Sequence, residues 1–231
     1  METPADAQIR PKTDLAEREV WLFDLDNTLY PASCRLFDQV DRNITRYIAE
    51  HLDLAWEDAY RMQKGFFRQH GTTMRGLMTE YGTDPDHFLE YVHDIDLSPV
   101  EENPALDRAL AKLKGRKIIF TNGSVAHAEG IMKKLGVAHH FEAVFDIVAS
   151  DYRPKPEPDV YDKLVSMHAI NAPAAVMVED MARNLKPAHD LGMACVWVRT
   201  ESQWAQESSE AEHVHHIVDD LTQWLRELTG A

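Results

Sequence analysis

Two carboxylates stand two residues apart, Asp24 and Asp26 in Asp24-Leu25-Asp26-Asn27-Thr28, directly after the apolar run Val20–Phe23. Such a pair can divide a reaction between a nucleophile and a proton donor when the two occupy different environments. Three further polar groups stand in similar places: Thr121-Asn122-Gly123-Ser124 after Lys117–Phe120, Lys155 between Pro154 and Pro156, and Glu179-Asp180 after Ala175–Val178. A carboxylate nucleophile, an acid, hydrogen-bond donors and a cation are together what transfer of a highly charged group requires. Each element also has a plainer use. Asp24 and Asp26 could end a strand and cap a helix, Thr121–Ser124 makes a good turn and N-cap, and Glu179-Asp180 could cap the next helix. A loop lysine is ordinarily solvated. The order of the four, three of them at the end of an apolar run, favours the chemical reading.

The runs that carry these residues are four to six residues long and largely β-branched or aromatic, as buried parallel strands are. Val144–Ala149 and Ala194–Val198 complete the set. Helical patterns separate them. Asn103-Pro104 opens one, with Leu106, Ala109, Leu110 and Leu113 on a shared face before Gly115. Others run over Val125–Leu135 before Gly136, from Pro158 to His168, and from Asn184 to Leu191 before Gly192. Strand and helix in alternation imply an α/β fold with a doubly wound parallel sheet, whose ligand site lies beyond the carboxyl ends of the strands. Residues 31–99 differ. They show helical stripes (Phe37, Val40, Ile44, Ile48 and Leu52; Ala55, Ala59, Met62 and Phe66; Phe88, Leu89 and Val92) and no convincing strand. The expected organisation is a flexible arm over 1–18, partly helical near Leu15, a core over 19–30 and 100–231, and a helical insertion over 31–99.

The chain has 231 residues, 24 Lys and Arg against 39 Asp and Glu, and a formal net charge of -15. That field repels nucleic acid and anionic membranes, so neither is an expected partner, and an anionic substrate needs locally supplied positive charge. The N-terminal segment lacks the apolar core of a signal peptide, and no apolar run approaches the ~20 residues that span a bilayer. Cys34 and Cys195 are far apart and outside any CxxC spacing, which points to a reducing cytoplasm. His213, His215 and His216 alternate with Val214 and lead into Ile217 and Val218, so they read as a last strand rather than a metal cluster. Trp197, Trp204 and Trp224 read as packing residues.

The four polar elements resemble the four motifs of the haloacid dehalogenase superfamily of phosphatases: Asp24–Leu29 the first, Thr121-Asn122-Gly123 the second, Lys155 the third and Val178-Glu179-Asp180 the fourth. The insertion resembles the superfamily's first class of helical cap, on a Rossmann-like core. The resemblance implies a phosphomonoesterase in which Asp24 attacks phosphorus and Asp26 protonates the leaving oxygen, then activates water. It implies Mg²⁺ held by Asp24, the Asp26 carbonyl and Asp180, with Glu179 supporting through water. It implies Lys155 as a charge on Asp24 and the phosphoryl group, and hydrogen bonds from Thr121 and the Asn122 amide to that group. Asn184 stands where many relatives carry a second aspartate. An ordinary carboxyl titrates near ~3.9, so an acid at neutral pH is expected to have its pKa raised by its surroundings.

Asp26 argues against the dehalogenase branch, where halide leaves without a proton. Phe23–Cys34, Gly71–Leu77, Val92-His93-Asp94 and Asp96-Leu97 resemble the pyrimidine 5'-nucleotidase subfamily. The implied substrate is a nucleoside monophosphate, UMP or CMP ahead of AMP or GMP, with Thr73 and Arg75 in a helix–helix loop as candidate readers of it. A phosphatase for a sugar phosphate or lysophospholipid is the alternative. A non-enzymatic phospho-acceptor domain is a third reading, disfavoured by chain length, by the cap and by the acid at Asp26.

Overall fold

The computed structural model describes residues 15–202 and 204–231. Six parallel strands run β1 (Val20–Phe23), β2 (Arg116–Phe120), β3 (Ala143–Phe145), β4 (Ala175–Glu179), β5 (Ala194–Val198) and β6 (His216–Val218). Their order across the sheet is β3-β2-β1-β4-β5-β6. The sequence moves outward from β1 to one edge and then returns to build the other, so β1, flanked by β2 and β4, marks the point where the winding reverses. Phe23 pairs with Ile119 on one side and Val178 on the other. Asp24 extends β1 by one more step, donating its N–H to the Val178 carbonyl at 2.9 Å.

Alternation along each strand gives the sheet two apolar faces. Trp21, Phe23, Ile119, Val176, Val178 and Val196 meet Leu106, Leu110, Ile131 and Leu225 on one. Leu22, Ile118, Phe120, Met177 and Cys195 meet Val160, Leu164, Leu185 and Ala188 on the other. Complete burial of such a side chain contributes roughly 1.5–3 kcal/mol, so both faces must be covered by helices. Helices α5 (Pro104–Lys112), α6 (Val125–Leu135) and α9 (Leu221–Thr229) cover the first, and α7 (Pro158–Met167) and α8 (Leu185–Asp190) the second. Their ends carry the expected signals: Asn103 caps α5 through Leu106 N–H, Ser124 caps α6 through His127 N–H, and left-handed Gly136 ends α6. The arm expected over residues 1–18 falls outside the described residues apart from its last four. Leu15 belongs to the core, where it is fully buried.

Between β1 and α5 stand four α-helices, α1 (Phe37–His51), α2 (Trp56–His70), α3 (Thr73–Tyr81) and α4 (Pro85–Val92). They bury a cluster of their own, Val40, Ile48, Met74, Leu77, Phe88 and Val92, which also takes in Ile147 from the loop after β3. Three expectations are corrected here. The loop expected over Gly71–Leu77 is only two residues long, because Thr72 accepts the Arg75 N–H and starts α3 at Thr73. The strand expected over Val144–Ala149 stops at Phe145. Asp146 then turns the chain by accepting Ala149 N–H and, from α6, Val125 N–H. The last strand is likewise shorter than the 213–218 run, covering His216–Val218.

Candidate active site

The carboxyl ends of β1, β2 and β4 deliver Asp24, Thr121 and Glu179-Asp180 to one place, and the loop before α7 brings Lys155. That loop is fixed by Ser150, whose hydroxyl bonds the carbonyls of Ile147 and Arg153. Lys155 is buried, and its Nζ donates to Asp24 Oδ1 at 2.7 Å, Glu179 Oε2 at 2.7 Å and the Phe120 carbonyl at 2.8 Å. All three of its protons are thereby used. Toward an incoming anion it acts as a charge, not as a direct donor. Burial lowers the lysine pKa, but Asp24 and Glu179 outweigh burial and hold it above the ordinary lysine range.

Burial and the neighbouring Glu179 push the Asp24 carboxyl up to about 7, with Lys155 pulling the other way. Burial and Glu179 also hold Asp180 well above the usual carboxylate range. Trp197 locks this segment by donating its indole N–H to the Asp180 carbonyl at 2.6 Å. Asp24, Glu179 and Asp180 each offer an oxygen within 4.8 Å of the others. Asn184 lines the same cavity, and its buried Oδ1 has no hydrogen-bond partner. Crowded carboxylates with elevated pKa values and an orphaned amide oxygen form a hard-oxygen donor set that fits a divalent cation. The two oxygens of Glu179 take Lys155 Nζ and Met181 N–H.

Asp26 is set differently from Asp24. Its Oδ1 accepts the Tyr30 hydroxyl at 2.7 Å and lies 2.8 Å from His127 Nε2. The expected rise in its pKa is not what this environment produces. Burial does raise it, but the His127 partner and the Tyr30 hydroxyl outweigh burial and hold the carboxyl below its ordinary range. Asp26 in turn holds His127 above the ordinary histidine value despite the latter's burial. His127 carries no motif spacing that marks it in the sequence, and Tyr30 and His93 stand only within stretches that carry the subfamily resemblance, with no role assigned to them.

Thr121 accepts Gly123 N–H on its Oγ1 at 2.9 Å, which leaves its proton available to the cavity it lines. The Asn122 side chain turns to the backbone of Lys155, accepting its N–H at 2.8 Å and donating to its carbonyl at 3.4 Å. The Asn122 side chain therefore braces the lysine.

A cavity of about 390 Å³ rises from these residues into the four-helix insertion, a volume within the range of small-molecule sites. Val40, Ile44, Phe88 and Leu89 form much of its wall, with Phe67 and Trp204 meeting edge to face at 5.5 Å. Arg183 lies over the Phe67 ring at 4.6 Å and also lines the cavity. Trp204 is thus a cavity residue, where the sequence reading makes it a packing residue. Thr73 lines the cavity, with its hydroxyl given to the Gln63 carbonyl at 3.0 Å. Arg75 does not line it. One turn into α3 it points to the core and pairs with Glu157 at 3.1 Å. His213 is buried against the Ala182 carbonyl, and His215 accepts Cys195 N–H.

Comparison with known proteins agrees with this geometry. Phosphate metabolism protein 8 of Saccharomyces cerevisiae is 25% identical over 221 residues, covering 88% of this chain, which spans 63% of the yeast protein's length. Glyceraldehyde 3-phosphate phosphatase of Methanopyrus kandleri is 26% identical over 197 residues, covering 77% of this chain and 82% of its own. The crystal structure of a HAD phosphatase from Thermococcus onnurineus shares the fold, with a TM-score of 0.60 at 16% identity over 92% of this chain and 98% of that one. The family model for haloacid dehalogenase-like hydrolases matches residues 19–192, which carry all four polar elements, and the chain belongs to that family.

Proposed function

We propose that the protein is a Mg²⁺-dependent phosphomonoesterase that works through an aspartyl-phosphate at Asp24, with a pyrimidine nucleoside monophosphate as substrate. The observation that carries the chemistry is the placement of Asp24 and Asp26 on the floor of one cavity with opposite surroundings. Asp24 is paired with a buried lysine that orients its oxygen and opposes the rise in its pKa. Asp26 is instead held by His127 and the Tyr30 hydroxyl, which lower its pKa.

An oxygen of Asp24 attacks phosphorus, and the bond from phosphorus to the leaving oxygen breaks. Asp26 gives that oxygen its proton. The negative charge of a bound phosphate ester raises the tendency of Asp26 to carry one, against the pull of His127. Water then attacks the phosphorus of the acyl phosphate, loses its proton to Asp26, and Asp24 is released as carboxylate. Thr121 donates to a phosphoryl oxygen, and Lys155 opposes the charge that accumulates between Asp24 and the phosphoryl group. Asp24, Asp180 and the Asp26 carbonyl are the expected ligands of Mg²⁺, with Asn184 Oδ1 close by in the same wall. When bound, the ion supplies neutralising charge for the phosphoryl oxygens.

The leaving-group half of the proposal rests on the cavity wall. A flat base can lie against Phe67 and Trp204. Val40, Ile44, Phe88 and Leu89 give the wall an apolar part, while Asp38, Asp41, Gln63, Lys64 and Ser202 in the same lining offer polar side chains to the ribose hydroxyls of a nucleotide. The same apolar wall favours a lysophospholipid as second reading, while the archaeal relative's name makes a triose phosphate the third substrate to test. No described helix is long and apolar enough to cross a membrane. Both cysteines are free, and burial pushes the Cys195 thiol up to about 12, in keeping with the proposed reducing cytoplasm. Steady-state kcat/KM with Mg²⁺ for UMP, CMP, AMP, glyceraldehyde 3-phosphate and a lysophosphatidate tests the reading. UMP and CMP are expected to lead. A triose phosphate ahead by about tenfold, ~1.4 kcal/mol in transition-state binding, overturns the nucleotidase and leaves the phosphatase.

A further inference from the structure

Two histidines to which the sequence assigns no role stand behind Asp26. His127, on the first turn of α6, is buried to 1% side-chain exposure, and its Nε2 is the 2.8 Å partner of Asp26 Oδ1. His93, the residue that ends α4, lies face to face with it, ring centroids 4.2 Å apart and planes 13° from parallel. His93 Nδ1 is 3.0 Å from the hydroxyl of Ser124, the residue that also caps the helix bearing His127. Gly123 lies close against the stack. A Cβ there would meet His127 Cδ2 at 3.3 Å and His93 Nε2 at 3.6 Å. Burying stacked imidazoles costs free energy unless their polar atoms are used, and here each ring spends one nitrogen on a single defined partner.

We propose that His127 and His93 are positioning residues for the acid, His127 by holding Asp26 Oδ1 and His93 by holding the His127 ring. The proposal rests on the reading of Asp26 as the proton donor. Tyr30 and His127 both take Oδ1, so neither uses the second oxygen of the carboxyl. That arrangement fixes the carboxyl plane and keeps Oδ2 out of both bonds. A proton donor must be held within a few tenths of an ångström of its target, and misplacement by ~1 Å costs on the order of 10²-fold. His93 ends α4, the last helix of the four-helix insertion. The insertion that forms the leaving-group wall therefore also holds, through one stacked ring, the group that protonates the leaving oxygen. His127 meets Asp26 through Nε2 and stacks on His93. His93 reaches Asp26 through that ring, bonds Ser124 and borders the cavity.

The test is the ratio of kcat/KM for an alkyl phosphate to that for p-nitrophenyl phosphate, whose leaving group departs as an anion. His127→Ala is expected to lower this ratio about tenfold or more, and His127→Gln, whose amide can reach Asp26 from the Nε2 position, to restore most of it. His93→Ala is expected to lower the ratio in the same direction, and His93→Phe, which keeps the stack, to lower it less. The double variant His93→Ala/His127→Ala is expected to match His127→Ala alone, because His93 acts through His127. Multiplying losses in the double variant, or equal losses on both esters, would overturn the proposal. Asp26→Asn separates this failure from that of the underlying reading. A selective loss there with unselective histidine variants rejects the positioning role alone, whereas no selective loss at Asp26 rejects the acid itself. Circular dichroism on each variant confirms folding, and the Gln and Phe variants carry the test if either Ala variant fails to fold.

Discussion

The side chain of Asn122 grips the backbone of Lys155 at both ends, Oδ1 on its N–H at 2.8 Å and Nδ2 on its carbonyl at 3.4 Å. The residue after β2 thereby sets the root of a lysine that lies 33 positions further on, and Lys155 in turn spans Asp24 and Glu179. Asn122→Ala removes the acceptor of a part-buried N–H, so a stability loss of roughly 1–3 kcal/mol is expected in denaturant titration. Turnover is expected to fall with it by about 10-fold or more as Lys155 loses its register to Asp24. A variant of parental stability and parental kcat would show that the brace is idle.

Removal of the cation has a pH signature. Asp24 and Asp180 have folded-state pKa values above their unfolded ones, because burial and Glu179 resist their ionisation. Between the unfolded value and the folded one the native state binds more protons than the unfolded chain. The stability these two groups contribute is present at low pH and lost as pH rises through the folded pKa, about 7 for Asp24. Under the proposed ligand set, Mg²⁺ on the same carboxylates would offset that loss. The rise in Tm on adding Mg²⁺ is therefore expected to be larger at about pH 8 than at about pH 5, in differential scanning calorimetry with and without chelator. An equal rise at both would place the ion elsewhere.

Phe67 and Trp204 are expected to act on the leaving group and not on phosphate. Phe67→Ala and Trp204→Ala raise KM for UMP several-fold, by about 0.5–1.5 kcal/mol for a lost aromatic pairing. Acetyl phosphate, which has no ring to stack, serves as the control. Equal KM changes for UMP and acetyl phosphate would remove both rings from substrate recognition.

Arg75, named from the sequence as a reader of substrate, is expected to be silent in that role. Its partner Glu157 is on the core, and a pair exposed to about this degree contributes ~0.2–1 kcal/mol. Arg75→Ala should lower Tm slightly and leave KM for UMP within about twofold. A large KM effect would mean that Arg75 leaves Glu157 for the ligand.

Much of this was legible because strand ends and helix ends are local. Asp24, Thr121, Lys155 and Glu179-Asp180 follow buried runs or sit between prolines, and parallel topology forces three such ends together. Asn103-Pro104, Ser124 and Gly136 announce their helix ends by chemistry within one turn. What failed to show was side-chain pairing across distance. Thr72 capping α3 turned the apparent Gly71–Leu77 loop into a helix and rotated Arg75 away from the cavity. His127 is 101 residues from Asp26, and nothing in its spacing distinguishes it from any histidine on the first turn of a helix. Its pull on Asp26 is why the expected pKa rise became a fall. Trp204 lies in a stretch without periodicity, so its role in the cavity wall depended on where Phe67 would stand.

The most direct measurement traps the covalent intermediate. Rapid acid quench during turnover of p-nitrophenyl phosphate, followed by borohydride reduction, converts an aspartyl-phosphate to homoserine, and peptide mass mapping then locates it. The account predicts homoserine at position 24, with none formed when substrate is omitted or in Asp24→Asn. Reduction at any other residue, or phosphate release by folded Asp24→Asn at a rate near that of the parent, would contradict it.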